Sequence, residues 1–359
     1  MNPLIVLYYH RILPFKGYDI DISTFKWQLS YVSNRFDIVG VEELKSVLGG
    51  KRLERPSVLL TFDDGFADNF VYAYPILKKY NAKAVIFPAT SKIRDSEDVK
   101  DTLEDYWNGK VELKNLFIPD KRETALYDSL RGDYHEFLSW KELDIMKKSG
   151  IFEIGSHGHL HSKIFSDDNV HDFYHKDANV HWSFLYANNN NLNIGSPVFN
   201  MKSSLASKKF MPGDDFKRHT KDVFNEIYNK TQNYNKTKTK VLTEIKKYKN
   251  RGVFESDNDF KNRIFDELAL SKRLIKEHLN TDTDLLSWPW GEYSKESIEV
   301  AKKAGFRYCF STKKDFVGSK TDRCKIGRIH ASDNIKRFKK RIFIYSHFTL
   351  SKIYNRFHI

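Results

Sequence analysis

Short apolar runs alternate with amphipathic stretches along this chain, and that alternation restricts its fold more than any other feature. Runs rich in β-branched and aromatic residues at 4–9, 58–62, 84–87, 152–156, 285–288 and 308–311 read as buried strands. Between them a helical period covers residues 23–34, 41–48, 68–80, 139–148, 259–279 and 295–304. Ser139 stands three residues before Glu142, as in a capping box, and Gly150 and Gly305 end their helices. Strands that take turns with helices pair in parallel, so the chain is expected to be α/β, with β/α units around one sheet; a bundle or a sandwich is excluded.

Two stretches break the alternation, at about 91–134 and 165–256, and are expected to be insertions in a main domain spanning 1–330. The second carries four asparagines at 188–191 and a Lys/Asn/Thr-rich segment at 217–250, which suits a long polar helix or a mobile excursion. Its Gly195-Ser196-Pro197 and Met211-Pro212-Gly213 turns point to a partly folded piece. Cys309 and Cys324 are too few for a disulfide scaffold and are expected to be reduced. The first ten residues have no basic region and no small-residue cleavage site, and no apolar run reaches the ~18 residues that span a bilayer. A cytoplasmic protein, peripheral at most to the inner membrane face, is the expectation.

Three segments carry chemistry. In Thr61-Phe62-Asp63-Asp64-Gly65 a buried strand runs into two adjacent carboxylates. Burying both is costly unless a cation or a separation of their pKa values compensates, which suggests one acid that binds metal and one that moves protons. A solvated acidic turn is the competing account. Further on, His157 and His161 stand at i and i+4, a spacing that suits a histidine pair on zinc, and two His with one Asp leave a position open for water. His159 between them is expected to point elsewhere. The third segment, Ser287-Trp288-Pro289-Trp290-Gly291-Glu292-Tyr293, is an aromatic glycine turn at a strand end. Such a turn can offer backbone N–H groups to an oxyanion and the flat rings of Trp288 and Tyr293 to a sugar, or it can simply be packed.

Taken in order, these three segments resemble the polysaccharide deacetylase family, the NodB homology group of carbohydrate esterases. The resemblance covers about half of the chain and leaves out both insertions. It implies a distorted (β/α)7 barrel and metal-dependent removal of N-acetyl groups from an amino sugar in a glycan, a lipid-linked glycan or a sugar intermediate. It also implies that Asp64, His157 and His161 hold a divalent metal, zinc first, that Asp63 is the general base acting on water there, and that the Trp290 backbone N–H steadies the oxyanion. Many members carry an arginine two residues before the proline of the third segment to orient the base; here that position is Ser287. The subgroup acting on poly-N-acetylglucosamine also lacks it, and its opening strand resembles Tyr9-His10-Arg11-Ile12. That likeness makes His10 the expected general acid, with His330 a weaker substitute. Arg328 is expected to anchor a carboxylate or a substrate oxygen.

Charge adds a partner class. Lys and Arg number 60 against 47 Asp and Glu, a net +13, which favours phosphate-bearing surfaces. After Asp333 the last 26 residues contain no acid and seven Lys or Arg mixed with aromatics. This tail, 331–359, suits either an anionic membrane interface or a final helix that covers the barrel. No nucleic-acid-binding module is recognisable, so nucleic acid is not an expected partner. A catalytically idle glycan-binding or assembly barrel, and a deformylase of a similar amino sugar, are the alternatives.

Overall fold

The structure, a computed structural model, describes residues 2–175, 183–187 and 193–357; the four asparagines at 188–191 lie outside them. It divides into two units, each described by itself. The first comprises Met1–Leu160, Glu267–Gly291 and Ala301–Ile359, and the second His161–Asp266 with Glu292–Val300.

Among the described residues, seven short strands form the ring of the first unit: β1 (Leu4–Tyr9), β2 (Ser57–Asp64), β3 (Ala84–Pro88), β4 (Phe152–Ile154), β5 (Leu285–Ser287), β6 (Tyr308–Phe310) and β7 (Ile329–His330), with three two-residue strands beside it. All neighbouring pairs are parallel: β7 beside β1, then β2, β3 and β4, with β5 beside β6. Single bridges close the ring. Ser156, just past β4, pairs with Leu286 of β5, and Phe310 of β6 pairs with Ile326, just ahead of β7. The expected distorted (β/α)7 barrel is present, its circle completed at two places by one bridge each.

The period-two pattern of the strands explains the two core clusters. Leu4, Val6, Leu59, Val85, Phe87, Leu285, Phe310 and Ile326 point into the ring, where Val41, Leu44, Val47 and Leu48 of the helix Val41–Leu48 join them. The alternate residues, such as Ile5, Leu7, Val58, Leu60 and Phe62, face outward onto helices, against Phe25, Leu29, Leu143 and Met146. Every residue of β2 is buried, as befits a central parallel strand covered on both sides.

All six apolar runs become strands and the helical stretches become helices. One differs in kind: residues expected as a single helix after β2 begin with a π-helical turn, Asn69–Ala73, before the α-helix Tyr74–Lys79, where Pro75 takes an early position that needs no N–H. The stretch at 91–134 belongs to the first unit. The tail forms the helices Ile335–Tyr345 and Phe348–Phe357, and Phe338, Ile342, Ile344 and Tyr345 enter the outer core, with Trp27 and Tyr31 packed against the same cluster.

The second unit has its own apolar core of Phe165, Phe173, Phe199, Phe210, Phe216, Phe224, Val241 and Ile245. Two antiparallel pairs, Lys163–Phe173 with Pro197–Ser203 and Phe210–Pro212 with Gly252–Phe254, pack with two helices. The polar segment at 217–250 is not one helix. Asp214–Thr231 stops at Gln232 in the left-handed region, and Asn233 caps Tyr234–Ile245 by accepting the Lys236 N–H. A cavity of about 670 Å³ lies within this unit and holds none of the candidate catalytic residues.

Candidate functional site: a carboxylate pair held by two arginines

Alternation along β2 sends Leu59, Thr61 and Asp63 into the ring, and Asp63 arrives there fully buried. Arg328, equally buried and just ahead of β7, meets it with both arms of the guanidinium: Nη1 donates to Oδ1 at 2.8 Å and Nη2 to Oδ2 at 2.7 Å. The same guanidinium reaches Thr61 Oγ1 at 3.2 Å and Ser287 Oγ at 2.8 Å, and Tyr8 lies under it, 4.8 Å from the ring centre. Burial alone would raise the Asp63 pKa. The charge of Arg328 and the hydrogen bonds it donates override it and hold the carboxyl below its ordinary value. Asp63 is therefore an ionised carboxylate in a dry place, fixed by a bidentate clamp.

These contacts bear on two expectations. Position 287 carries no arginine, and a guanidinium from the far end of the chain rests on the Ser287 hydroxyl instead. Arg328, expected to anchor a carboxylate or a substrate oxygen, meets a carboxylate: its Nη1 and Nη2 are occupied by Asp63, Thr61 and Ser287, with no surface exposed, which leaves it out of reach of a substrate. It positions the Asp63 carboxylate.

Asp64 leaves the strand pattern. Its φ of 73° lies in the left-handed region, which turns the side chain away from the direction alternation would give. Oδ1 faces His157 Nε2 at 3.3 Å, while Arg122 donates to Oδ2 from Nε at 3.1 Å and from Nη2 at 2.9 Å. The His157 ring is oriented by its other nitrogen. Nδ1 is 2.8 Å from the Ser287 carbonyl, which can only accept, so the proton sits on Nδ1 and Nε2 turns a lone pair toward Asp64. His161 follows four residues later, also buried, and ligand atoms of Asp64, His157 and His161 all lie within 4.8 Å of one another. A carboxylate oxygen and an imidazole lone pair facing each other at this distance need a proton or a cation between them. Two imidazoles and one carboxylate form a donor set suited to zinc or a similar divalent ion, so the residues fit such a metal. His159 stays out of this group, as expected, and bonds Thr90 Oγ1 at 3.0 Å.

Backbone strain gathers at the same residues. Among the described residues, six that are not glycine have positive φ, and three of these are Asp64, His161 and Trp290. The others are Asn81, Gln232 and Asn280, two of them asparagines, the type that tolerates this region best. A bulky tryptophan at φ 58° is costly and persists only where the surroundings impose it. Gly291 helps to impose it: at φ +72° it passes so close to Thr312 that a Cβ would come within 2.1 Å of Oγ1.

The remaining candidates separate. Trp288 is wholly buried and donates its indole N–H to the Cys324 carbonyl at 3.2 Å, so it is a packing residue and cannot meet a sugar. Tyr293 is half-buried and belongs to the second unit. His10 closes β1 and lines a cavity of about 260 Å³ with Tyr18, Asp19, Arg122, His330 and Asp333. Burial, then Arg122, lowers the His10 pKa to about 3 against the opposing pull of Asp64 and Asp63. His330, 6.0 Å away between ring centres, is lowered to about 4 by burial, then by Arg341 and Arg122. Both imidazoles are neutral at pH 7. The next residue, Arg11, fixes this end of β1: buried, it pairs with Asp68 and Glu136 and donates to the Asp120 carbonyl, two residues before Arg122.

Arg122 is the side chain at this cluster that sequence reasoning missed. It comes from the stretch expected to be an insertion, and nothing in the local sequence marks it. Arg328 carried a signal, an arginine between Ile326 and Ile329 in an apolar run, where a buried cation requires an acid.

Residues 50–176 match the family model described as polysaccharide deacetylase. "Putative polysaccharide deacetylase YxkH" of Bacillus subtilis (strain 168) is 29% identical over 137 residues, 34% of this chain and 49% of that protein, so the chain spans about half the length of the curated relative it matches. Among solved structures, a de-N-acetylase from Aggregatibacter actinomycetemcomitans superposes with a TM-score of 0.58 at 18% identity, covering 95% of this chain and 100% of that one. The deacetylase domain of BpsB from Bordetella bronchiseptica gives 0.55 at 18%, covering 91% and 95%. IcaB from Ammonifex degensii gives 0.54 at 17%, covering 96% and 97%. At these identities the likeness establishes the fold.

Proposed function

Residues 50–176 match the polysaccharide deacetylase family model, and we propose that the chain is a metal-dependent hydrolase that removes N-acetyl groups from an amino sugar in a glycan or glycan precursor. One observation carries this reading: a three-residue ligand set, Asp64, His157 and His161, directly follows a carboxylate base held ionised by Arg328. An idle binding barrel would need neither a complete ligand set nor a buried, clamped carboxylate beside it.

Asp64, His157 and His161 would hold a divalent ion, zinc first, whose chemistry is to polarise the amide carbonyl and to make water a better acid. Everything else falls to side chains and backbone. Asp63 takes a proton from the attacking water; Arg328 keeps it ionised and fixes its direction. The Trp290 backbone N–H, in its strained turn, steadies the negative oxygen that develops when water adds to the carbonyl. The C–N bond then breaks, and the departing nitrogen needs a proton. His10 is assigned that transfer, with His330 beside it as the alternative. Since both imidazoles are neutral, the proton His10 passes on is one it first receives, and the source in balance is the proton Asp63 removed from water. The products are acetate and the free amine.

Removal of a formyl group would use the same groups, and the shape of the acyl pocket decides between the two. An N-acetylated glycan remains the proposed substrate. No helix among the described residues is long and apolar enough to cross a membrane, and the cytoplasmic location expected from the sequence is part of this proposal.

The test is metal content together with acetate release from N-acetylhexosamine oligomers. The purified chain should hold about one zinc, and His157→Ala/His161→Ala should lose both metal and acetate release. Asp63→Asn should keep the metal and lose activity by about 10²-fold or more. Full activity in Asp63→Asn, or no metal uptake after zinc is supplied, would refute the assignment.

A further inference from the structure

The basic tail builds a second site in the first unit. The helices Ile335–Tyr345 and Phe348–Phe357 enclose a groove of about 350 Å³, lined by Lys314, Lys336, Arg337, Lys340 and Arg341 above Ile344, Tyr345 and Tyr354. No acidic side chain lines it, and among the described residues none of the five cations pairs with a carboxylate. Its walls are tied together: Tyr345 Oη donates to Asn355 Oδ1 at 2.8 Å, and Asn355 Nδ2 donates to the Lys314 carbonyl at 3.0 Å. Lys336 with Lys340, and Arg337 with Arg341, are like charges one helical turn apart, an arrangement that destabilises a helix on its own. Not every cation of this helix faces the groove, for Lys339 lies over Trp27, 5.2 Å from the ring centre. Five positive charges lining a small concave space repel one another, and an anion with several charged oxygens would offset them.

We propose that this groove is a binding site for a phosphate or diphosphate ester. Its volume is at the lower end for ligand pockets, about 300 Å³ upward, which suits one such group and not a polymer chain. Arg337 and Arg341 supply planar forks that match phosphate oxygens, and Lys336, Lys340 and Lys314 add mobile ammonium groups. Arg341 joins the groove to the catalytic end: its Nη1 donates to the His330 carbonyl at 2.8 Å, and the His330 ring lines the cavity beside His10. Resting on the deacetylase reading, the substrate that fits both places is an amino sugar carried on a phosphate ester, soluble or lipid-linked.

The site is tested by titrating inorganic pyrophosphate into the full chain in a calorimeter at fixed ionic strength, beside Lys336→Glu/Lys340→Glu and, separately, Lys314→Glu. All three replaced residues are exposed, so folding should be retained, and melting curves check it. The wild-type chain should bind, and the double variant should lose about tenfold or more in affinity. Absence of binding to the wild-type chain, or equal affinity in every variant, would overturn the site. Displacement of pyrophosphate by vesicles containing phosphatidylglycerol, but not by phosphatidylcholine vesicles, assigns a lipid-borne phosphate; lack of displacement assigns a soluble ester, and both outcomes keep the site. Acetate release from an uncharged N-acetylhexosamine oligomer, measured on the same samples, should be unchanged in the double variant. If acetate release is absent throughout, from the uncharged oligomer and from an N-acetylhexosamine 1-phosphate alike, while pyrophosphate binding is lost in the variant, the groove stands and the deacetylase reading falls.

Discussion

Asp63 can serve as a base because Arg328 compensates a charge that burial would otherwise neutralise. Arg328→Met would leave that carboxylate buried and unpaired, at a cost of about 3–5 kcal/mol, unless it takes up a proton and ceases to be a base. Acetate release should fall by about 10²-fold or more, and the melting temperature should drop with it. Arg328→Lys keeps the charge but not the fork, and should fall between. Because the guanidinium rests on Ser287 Oγ, adding Ser287→Arg to Arg328→Met should recover part of the activity by delivering a guanidinium to the vacated space. Failure of the double variant alongside a fully active Arg328→Met would remove the clamp from the account. Asp64 has the complementary arrangement: one oxygen faces His157 while Arg122 occupies the other. Adjacent aspartates thus differ in surroundings, each with its own arginine.

At the scale of elements, the site depends on how closely the strand ends approach one another. Gly155, just past β4, sits where a Cβ would come within 2.3 Å of the Phe87 ring, a residue of the interior cluster that also packs on Phe310. Gly155→Ala should therefore overpack the ring by about 1–3 kcal/mol, visible as a lower denaturation midpoint with an unchanged slope. Normal stability would mean that Phe87 has room to move. The strands and most helices were legible in the sequence because each β/α unit is long enough to show its own period. β7 was not: two residues, Ile329–His330, carry no pattern, and they form a strand only because β1 lies alongside. Nor was the break at Gln232 foreseen, since it depends on a single left-handed residue followed by the Asn233 cap. Within the site, Asp63, Asp64, His157 and His161 could be read locally because they sit at strand ends or at helical spacing. The contacts of Arg122 and Arg328 span 58 and 265 residues, and no local pattern reports such a distance. Trp288 misled for the opposite reason, because an aromatic turn looks the same whether its ring faces a sugar or the core.

For the molecule as a whole, the neutral histidines set how stability depends on pH. His10 and His330 have ordinary values of 6.5, lowered to about 3 and about 4 in the folded chain. Between those values the unfolded chain binds more protons, so their contribution is complete above pH 6.5 and is lost as the pH falls through 4 and 3. Asp19, in the same cavity, works in the opposite sense. Burial raises it from 3.8 to about 7, against the Ile20 N–H and Arg122, so its contribution is complete below pH 3.8 and is lost as the pH rises through 7. Melting temperatures should decline from pH 6.5 to pH 4 with a shallower slope in His330→Gln, whereas Asp19→Asn should gain relative stability above pH 7. Identical slopes in wild-type and His330→Gln would show that His330 carries its proton in the fold.

The clamp on Asp63 also has a consequence in time. Its two partners are 265 residues apart, so a growing chain that has reached His161 owns both aspartates and the histidine pair but lacks the arginine that holds Asp63 ionised. The Asp63 carboxylate gains its partner only when the last barrel strand leaves the ribosome, and a fragment released before residue 328 would bury that carboxyl unclamped however well its first strands had paired.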